Sequence, residues 1–150
     1  MESSLVKMSM LERVQKIRGA EEALGIHFCT KSEYTLSLPD GSKQFGISEQ
    51  FLFCFIDGYQ ETVFVWDSKT GIIKPIAYDF SEFLRLIFAS GSGYKLARMA
   101  MHYQNESGES LKRQQAGLSR LQDTLELTPI QDSAAYMKTV GQVIDCSRLR

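Results

Sequence analysis

Apolar side chains recur at helical spacing over the first 25 residues. They are Leu5, Met8, Leu11, Val14, Ile17 and Leu24. Charged residues fill the other faces, which is typical of a helix with one buried side. Gly25 follows the last of these residues and is a plausible helix end. The pattern therefore predicts an amphipathic helix over residues 5–24.

The middle of the chain has the pattern of an antiparallel sheet. Four apolar segments are predicted as strands, over residues 34–38, 45–56, 62–66 and 72–77. Segment 45–56 is apolar on both faces, which indicates a central strand covered from both sides. Asp57-Gly58 is a strong hairpin signal after it. Pro75 predicts that the last strand lies at an edge or ends early.

Beyond residue 78 the spacing of apolar residues becomes helical. Helices are predicted over residues 79–89, 94–103, 110–127 and, more weakly, 132–145. Asp79 stands where a side chain caps a first turn, with Glu82 at the reciprocal position of a capping box. We therefore predict an α+β fold in a single domain, residues 1–150. It has an N-terminal helix, an antiparallel sheet of four to five strands and three to four C-terminal helices.

Composition and charge narrow the class of protein. The chain has 150 residues, of which 43% are hydrophobic and 23% charged, as in an ordinary globular domain. A net charge of −1 predicts no bulk attraction to nucleic acid or to an anionic membrane. No apolar run approaches the roughly 18–20 residues of a membrane span, and the N-terminus lacks a signal-peptide pattern. Three cysteines make a poor disulfide framework, so we expect a cytoplasmic protein.

Histidine and cysteine offer little evidence of catalytic or metal chemistry. His27 and Cys29 are spaced for two metal ligands, but a tetrahedral site needs three or four protein donors. No metal site and no cofactor are therefore predicted. A nucleophilic pair of Cys29 with His27 or His102 remains open. Cys54 lies in a phenylalanine-rich strand, where burial makes a thiol inert.

The segment Ser90–Lys95, with sequence SGSGYK, is a candidate anion site. Its glycines let backbone amides approach an anion, and the start of the following helix attracts one. The segment follows a helix instead of a strand and matches neither phosphate-loop pattern. A plain helix–helix connector is therefore favoured. A small enzyme or ligand-binding domain with an anion site at residues 90–95 is the alternative function.

The sheet region is acidic, because residues 33–91 contain eight acidic and four basic residues, a net charge of −4. An acidic sheet side suits a basic protein partner, since complementary potential speeds association. Tyrosine and tryptophan commonly anchor interfaces, although Trp66 fits core packing equally well. The predicted partner-binding residues are Glu49, Asp57, Tyr59, Glu61 and Asp67. Acidic residues in turns are usually only solvated, which is the simpler interpretation.

Residues 51–88 carry a family resemblance. The strands FLFCFIDGYQETVFVWDSKTGIIKPIA run directly into a helix written YDFSEFLRLIF. The segment Val63-Phe64-Val65-Trp66-Asp67 and the helix start Phe80-Ser81-Glu82-Phe83-Leu84 resemble the core of the SUKH superfamily. Two features depart from that family. The turn Leu38–Gly41 is a distant counterpart of its glycine-rich turn, and the last sixty residues have no clear counterpart.

The resemblance implies a non-enzymatic binding domain. Bacterial members of the superfamily resemble immunity proteins, which bind and neutralise a cognate toxin, often a nuclease. We therefore predict a cytoplasmic immunity protein whose acidic sheet side occludes the basic active site of a toxin. A third hypothesis is an oligomeric subunit in which the leucine stripe from Leu111 to Leu125 pairs between chains. The sequence does not determine the oligomeric state.

Overall fold

The computed structural model describes residues 10–104 and 112–146, which form an α+β fold. Residues 10–15 form helix α1, and α2 follows at Ala20–Leu24. The strands are β1 (His27–Phe28), β2 (Ser42–Ser48), β3 (Phe51–Ile56), β4 (Val63–Asp67) and β5 (Ile73–Ala77). The later helices are α3 (Phe80–Ser90), α4 (Gly93–Ala100), α5 (Lys112–Leu125) and α6 (Ser133–Val143).

The five strands form one sheet in the order β1-β2-β3-β4-β5, with every neighbouring pair antiparallel. The prediction of an antiparallel sheet with an N-terminal helix and several C-terminal helices is confirmed. β3 is the middle strand, and its apolar side chains are covered on both faces. β5 lies at an edge, where Pro75 costs least because an edge strand leaves some backbone amides unpaired.

Three predicted elements need correction. The helix predicted over residues 5–24 is broken in its described part by Gly19, which has a φ of 84°, and residues 5–9 lie outside the described residues. The strand predicted over 34–38 is a 3₁₀ turn at Thr35–Ser37. The strand predicted over 45–56 is the hairpin of β2 and β3, which turns at Glu49 with a φ of 51°.

The two faces of the sheet are covered differently. Phe51, Phe53 and Val65 belong to the main core, together with buried residues of α3, α4 and α5. On the second face, the segment around Tyr34 and Leu38 packs against Leu52 and Trp66. Trp66 is thus a core residue. Farther along the same face, two C-terminal residues pack against Cys54, Ile56 and Phe64; they are Ile144 and Cys146.

The leucine stripe of α5 packs within the chain. Leu118, Leu121 and Leu125 are buried in the main core, and α5 contacts α2. Leu111 lies outside the described residues. Because the described part of the stripe is already buried, it does not offer the pairing surface that the third hypothesis requires.

The start of α3 follows the sequence prediction. The Asp79 side chain accepts a hydrogen bond from the Glu82 amide at 2.8 Å, as a helix cap does. Glu82 does not complete the reciprocal half of a capping box. Its carboxylate instead accepts a bond from Arg85 at 2.9 Å, within the same helix.

Burial of Cys54 makes the protein sensitive to alkali. Burial raises the pKa of the Cys54 thiol from 9.0 to about 12. Between these values the unfolded chain releases a proton that the folded chain retains, so rising pH favours unfolding by up to about 1.4 kcal/mol per pH unit. We expect the free energy of unfolding to fall between pH 9 and 12, and to fall less steeply in Cys54→Ala. Denaturant titrations of both proteins across this range measure the difference, and equal slopes would contradict it.

Candidate protein-binding surface

The structure separates the five predicted partner-binding residues into two groups. Asp57, Tyr59 and Glu61 lie together in the connection between β3 and β4. Glu49 lies in the turn before β3, and Asp67 ends β4 opposite Phe51. Since β3 has six residues and each adds roughly 3.3 Å, the groups are on the order of 20 Å apart. They therefore do not form one acidic face.

Asp67 is a structural residue and has to be removed from the predicted surface. Its side chain is 0% exposed. One carboxylate oxygen accepts a bond from the Lys69 amide at 2.9 Å, and the other accepts a short bond from the Tyr103 hydroxyl. This bond to Asp67, with burial, raises the pKa of Tyr103. The sequence places Asp67 in a turn but gives no sign of its partner 36 residues away.

A surface groove of about 730 Å³ lies beside the β3–β4 connection, and we call it the acidic groove. Its principal side chains are Asp40, Asp57, Tyr59, Tyr78, Val143 and Asp145. Three of these are carboxylates, and none of the lining residues in the part of the chain that the structure describes is basic. Val143 and Tyr78 also expose apolar surface here. The groove therefore combines negative charge with aromatic and aliphatic contact area.

Tyr59 fixes the C-terminal segment against the sheet in this groove. Its hydroxyl donates to the backbone oxygen of Asp145 at 2.9 Å. Its ring meets the Phe64 ring edge to face, with centroids 5.2 Å apart. The hydrogen bond joins two parts of the chain that are 86 residues apart, and the segments that carry Asp40 and Tyr78 complete the groove. Sequence analysis therefore finds Asp57 and Tyr59, which are near neighbours, but misses Asp40, Tyr78 and Asp145.

Asp57 remains available to a partner despite a nearby lysine. Its carboxylate lies 3.3 Å from the Lys43 amine, and both side chains are mostly exposed. Exposed ion pairs of this kind contribute about 0–1 kcal/mol. A cationic group of a partner can therefore replace Lys43 at little cost.

A second surface groove, of about 990 Å³, lies between β5, the end of α4 and α6. Most of its lining is apolar, and we call it the apolar groove. Its main apolar residues are Ile73, Pro75, Met99, Met137 and Ile144. Lys74, His102 and Lys138 add polar groups to the lining. Ile144 and Asp145 line both grooves, so the two are adjacent.

The segment Ser90–Lys95 connects α3 to α4. Ser92 caps α4 by accepting a bond from the Lys95 amide at 3.1 Å. Gly93 is needed for packing, because a Cβ there would lie 2.4 Å from Cγ1 of Ile26. These contacts explain why Ser92 and Gly93 are present, and they do so without a bound anion.

His27 and Cys29 are each bonded to another residue. Nδ1 of His27 lies 2.9 Å from a carboxylate oxygen of Glu21. The sulfur of Cys29 accepts a hydrogen bond from the side-chain amide nitrogen of Gln44 at 3.3 Å. Within residues 10–104 and 112–146, no group of three or more histidine, cysteine or acidic side chains could hold a metal ion. In the same part of the chain, no helix is long and apolar enough to cross a membrane.

Comparison with known proteins identifies no relative of this chain. No protein-family model, curated protein or solved structure matches the chain. The resemblance to the SUKH superfamily therefore stays a prediction from the sequence.

Proposed function

We propose that this protein is a non-enzymatic protein-binding domain whose acidic groove receives a basic surface of a partner. One observation carries the proposal: three carboxylates, those of Asp40, Asp57 and Asp145, line a groove in which no basic residue of the described ranges 10–104 and 112–146 takes part. Opposite charges across an interface speed association and select the partner. The aromatic rings of Tyr59 and Tyr78 supply the kind of side chain that anchors interfaces.

The specific function that we propose is that of a cytoplasmic immunity protein. Binding of a basic toxin in the acidic groove neutralises the toxin by covering its active site. Support for this finer proposal comes from the resemblance of residues 51–88 to the SUKH superfamily and from the charge of the groove. The mechanism needs no chemical step, because a partner that covers an active site excludes its substrate.

Affinity co-purification from the native host, with mass spectrometry of the bound proteins, identifies the partner. We expect one stoichiometric basic protein whose activity falls when this domain binds it. A partner that stays fully active in the complex would contradict the immunity function while leaving protein binding in place. A protein that retains no partner in cells expressing a candidate toxin would contradict both.

Reversal of charge in the groove tests the surface directly. We expect Asp40→Lys together with Asp57→Lys to weaken partner binding at least about tenfold, because the lysines at both positions then repel a basic surface. Calorimetric titration at two salt concentrations measures this effect, which should shrink as salt screens the charges.

Glu49→Lys is the matched control for this reversal. Glu49 is exposed, but it lies at the opposite end of the sheet. The Glu49→Lys substitution makes the net charge more positive, as the double reversal does, but it lies outside the acidic groove. The affinity for the partner should therefore change little. Thermal melting of each variant reports whether it folds. Unchanged, salt-independent affinity in the folded double variant would overturn the proposed surface.

A further inference from the structure

The apolar groove and the acidic groove adjoin along the C-terminal segment. Ile144 and Asp145 line both grooves, so this segment is a wall that the two share. Val143, the residue before it, lies in the acidic groove and is 63% exposed. Apolar surface therefore continues from one groove into the other.

The acidic groove alone is small for a stable interface. Eleven of the described residues line it, whereas a stable protein–protein interface uses roughly 20–30 residues on each side. The apolar groove has fifteen described lining residues, of which two are shared, so the two grooves together offer twenty-four. A partner that covers both grooves therefore reaches the usual size.

Gly141 keeps one wall of the apolar groove open. Four residues at helical spacing on α6 line this groove: Ala134, Met137, Lys138 and Gly141. A glycine inside a helix costs stability relative to alanine, so its presence needs a reason. Packing gives none, because a Cβ at Gly141 would meet no heavy atom within 4 Å, and its φ is not positive. The missing side chain instead leaves open space in the groove.

The charges of the two grooves determine which part of a partner each one receives. Three carboxylates line the acidic groove. In the apolar groove Lys138 is exposed, and the Lys74 amine donates to the backbone oxygen of Ala100 at 3.0 Å. A basic group of the partner is therefore attracted to the acidic groove and repelled from the apolar one. The apolar groove is left for aliphatic or aromatic side chains, to which Met99 and Met137 adapt readily.

We propose that the apolar groove holds an aliphatic or aromatic side chain of the same partner whose basic groups occupy the acidic groove. The partner segment thus combines arginine or lysine with a neighbouring leucine, methionine or aromatic residue. Interfaces of this kind have an apolar centre and a charged rim, and truncation of the central side chains weakens binding most. The inference rests on the proposed function and adds the chemistry of the segment that binds.

Two synthetic peptides test the combination of charge and apolar contact. In the first, glycines join a block of arginines to a block of leucines, and in the second, serine replaces every leucine. We expect the protein to bind the first peptide at least about tenfold more tightly in calorimetric titrations, as gain of an interface anchor does. The methyl NMR signals of Met99 and Met137, which line the apolar groove, should shift with the first peptide and not with the second.

Gly141→Phe tests where the leucines bind. The new ring occupies the open space at Gly141, so the tenfold gain should disappear, while the melting temperature should not fall because a helical glycine is replaced. Ala134→Phe fills the other end of the same helix face and should have the same effect on binding. Ala135→Phe is the matched control, because Ala135 is an exposed residue of α6 that lines neither groove. It should keep the gain.

The same peptides separate this inference from the proposed function. Equal affinity for the two peptides would overturn the inference, and so would a gain that survives in folded Gly141→Phe and Ala134→Phe. The acidic groove is judged by Asp40→Lys together with Asp57→Lys. If this double reversal weakens binding of the serine peptide while the leucines add nothing, only the apolar contact is wrong. If the reversal changes the affinity of neither peptide, the acidic groove is wrong as well.

Discussion

Replacement of Phe53 by alanine is expected to lower the free energy of unfolding by about 3–5 kcal/mol, the usual loss for a large aromatic removed from a core. Phe53 is 0% exposed at the centre of the middle strand. Its ring lies 5.1 Å from that of Phe83 on α3, measured between centroids. The substitution therefore leaves a cavity at the junction of the sheet and the helices. Denaturant unfolding followed by circular dichroism measures the loss.

Phe55→Ala provides the comparison within the same strand. Phe55 is only partly buried, and it contacts the main core from the side, with its ring 4.8 Å from that of Phe45. We expect a clearly smaller loss than for Phe53→Ala because less apolar area is removed from the interior. Equal losses for the two variants would contradict the position of the core centre at Phe53.

Asp67→Ala is the second large effect that we expect, a loss of about 2–3 kcal/mol in the free energy of unfolding. The substitution removes the acceptor for both the Lys69 amide and the Tyr103 hydroxyl. Both bonds are part-buried, so each donor left without its acceptor bears part of the cost of desolvation. The turn after β4 and the chain beyond α4 are then no longer held together. Thermal and denaturant unfolding both report this loss.

Asp57→Ala is the control for Asp67→Ala, because it removes the same side chain from an exposed site. Its carboxylate forms a weak, exposed ion pair with Lys43, so we expect a change within about 1 kcal/mol. Tyr103→Phe should destabilise the protein less than Asp67→Ala, since Asp67 keeps its bond to Lys69. Combining Tyr103→Phe with Asp67→Ala should add little, because both remove the same hydrogen bond.

Elements whose signals are local could be predicted from the sequence. The helix α3 is marked by the spacing of its apolar residues and by Asp79 at its start, and both features appear in the structure. β4 and β5 are marked by turn residues on both sides and by Pro75 at the edge. The burial of Cys54 follows equally from its apolar neighbours.

Alternation of apolar residues misled the prediction at two places. Tyr34 and Leu38 pack on the sheet, but Leu36 faces solvent, so the spacing of the three imitates a strand in what is a turn. At Glu49 the chain reverses direction with a positive φ, without the Asn-Gly or Asp-Gly sequence that usually signals a hairpin. Neither case contains a local residue that breaks the strand pattern.

The candidate site could be predicted only in part, because it is assembled from distant segments. Asp57 and Tyr59 are two residues apart and belong to one connection, so sequence patterning can find both. Asp40, Tyr78 and Asp145 come from three other segments, which the tertiary fold brings to the acidic groove. Tyr59 and Asp145 are separated by 86 residues, and no local signal relates them.

The cover over the second face of the sheet also has a consequence for synthesis on the ribosome. Strands β3 and β4 leave the ribosome long before Ile144 and Cys146, which cover Cys54, Ile56 and Phe64. Contacts between residues this far apart form late, because the entropy of closing the intervening chain is lost first. The nascent protein therefore exposes an apolar sheet surface until residues 144–146 emerge, and this is the stage at which we expect it to need a chaperone most.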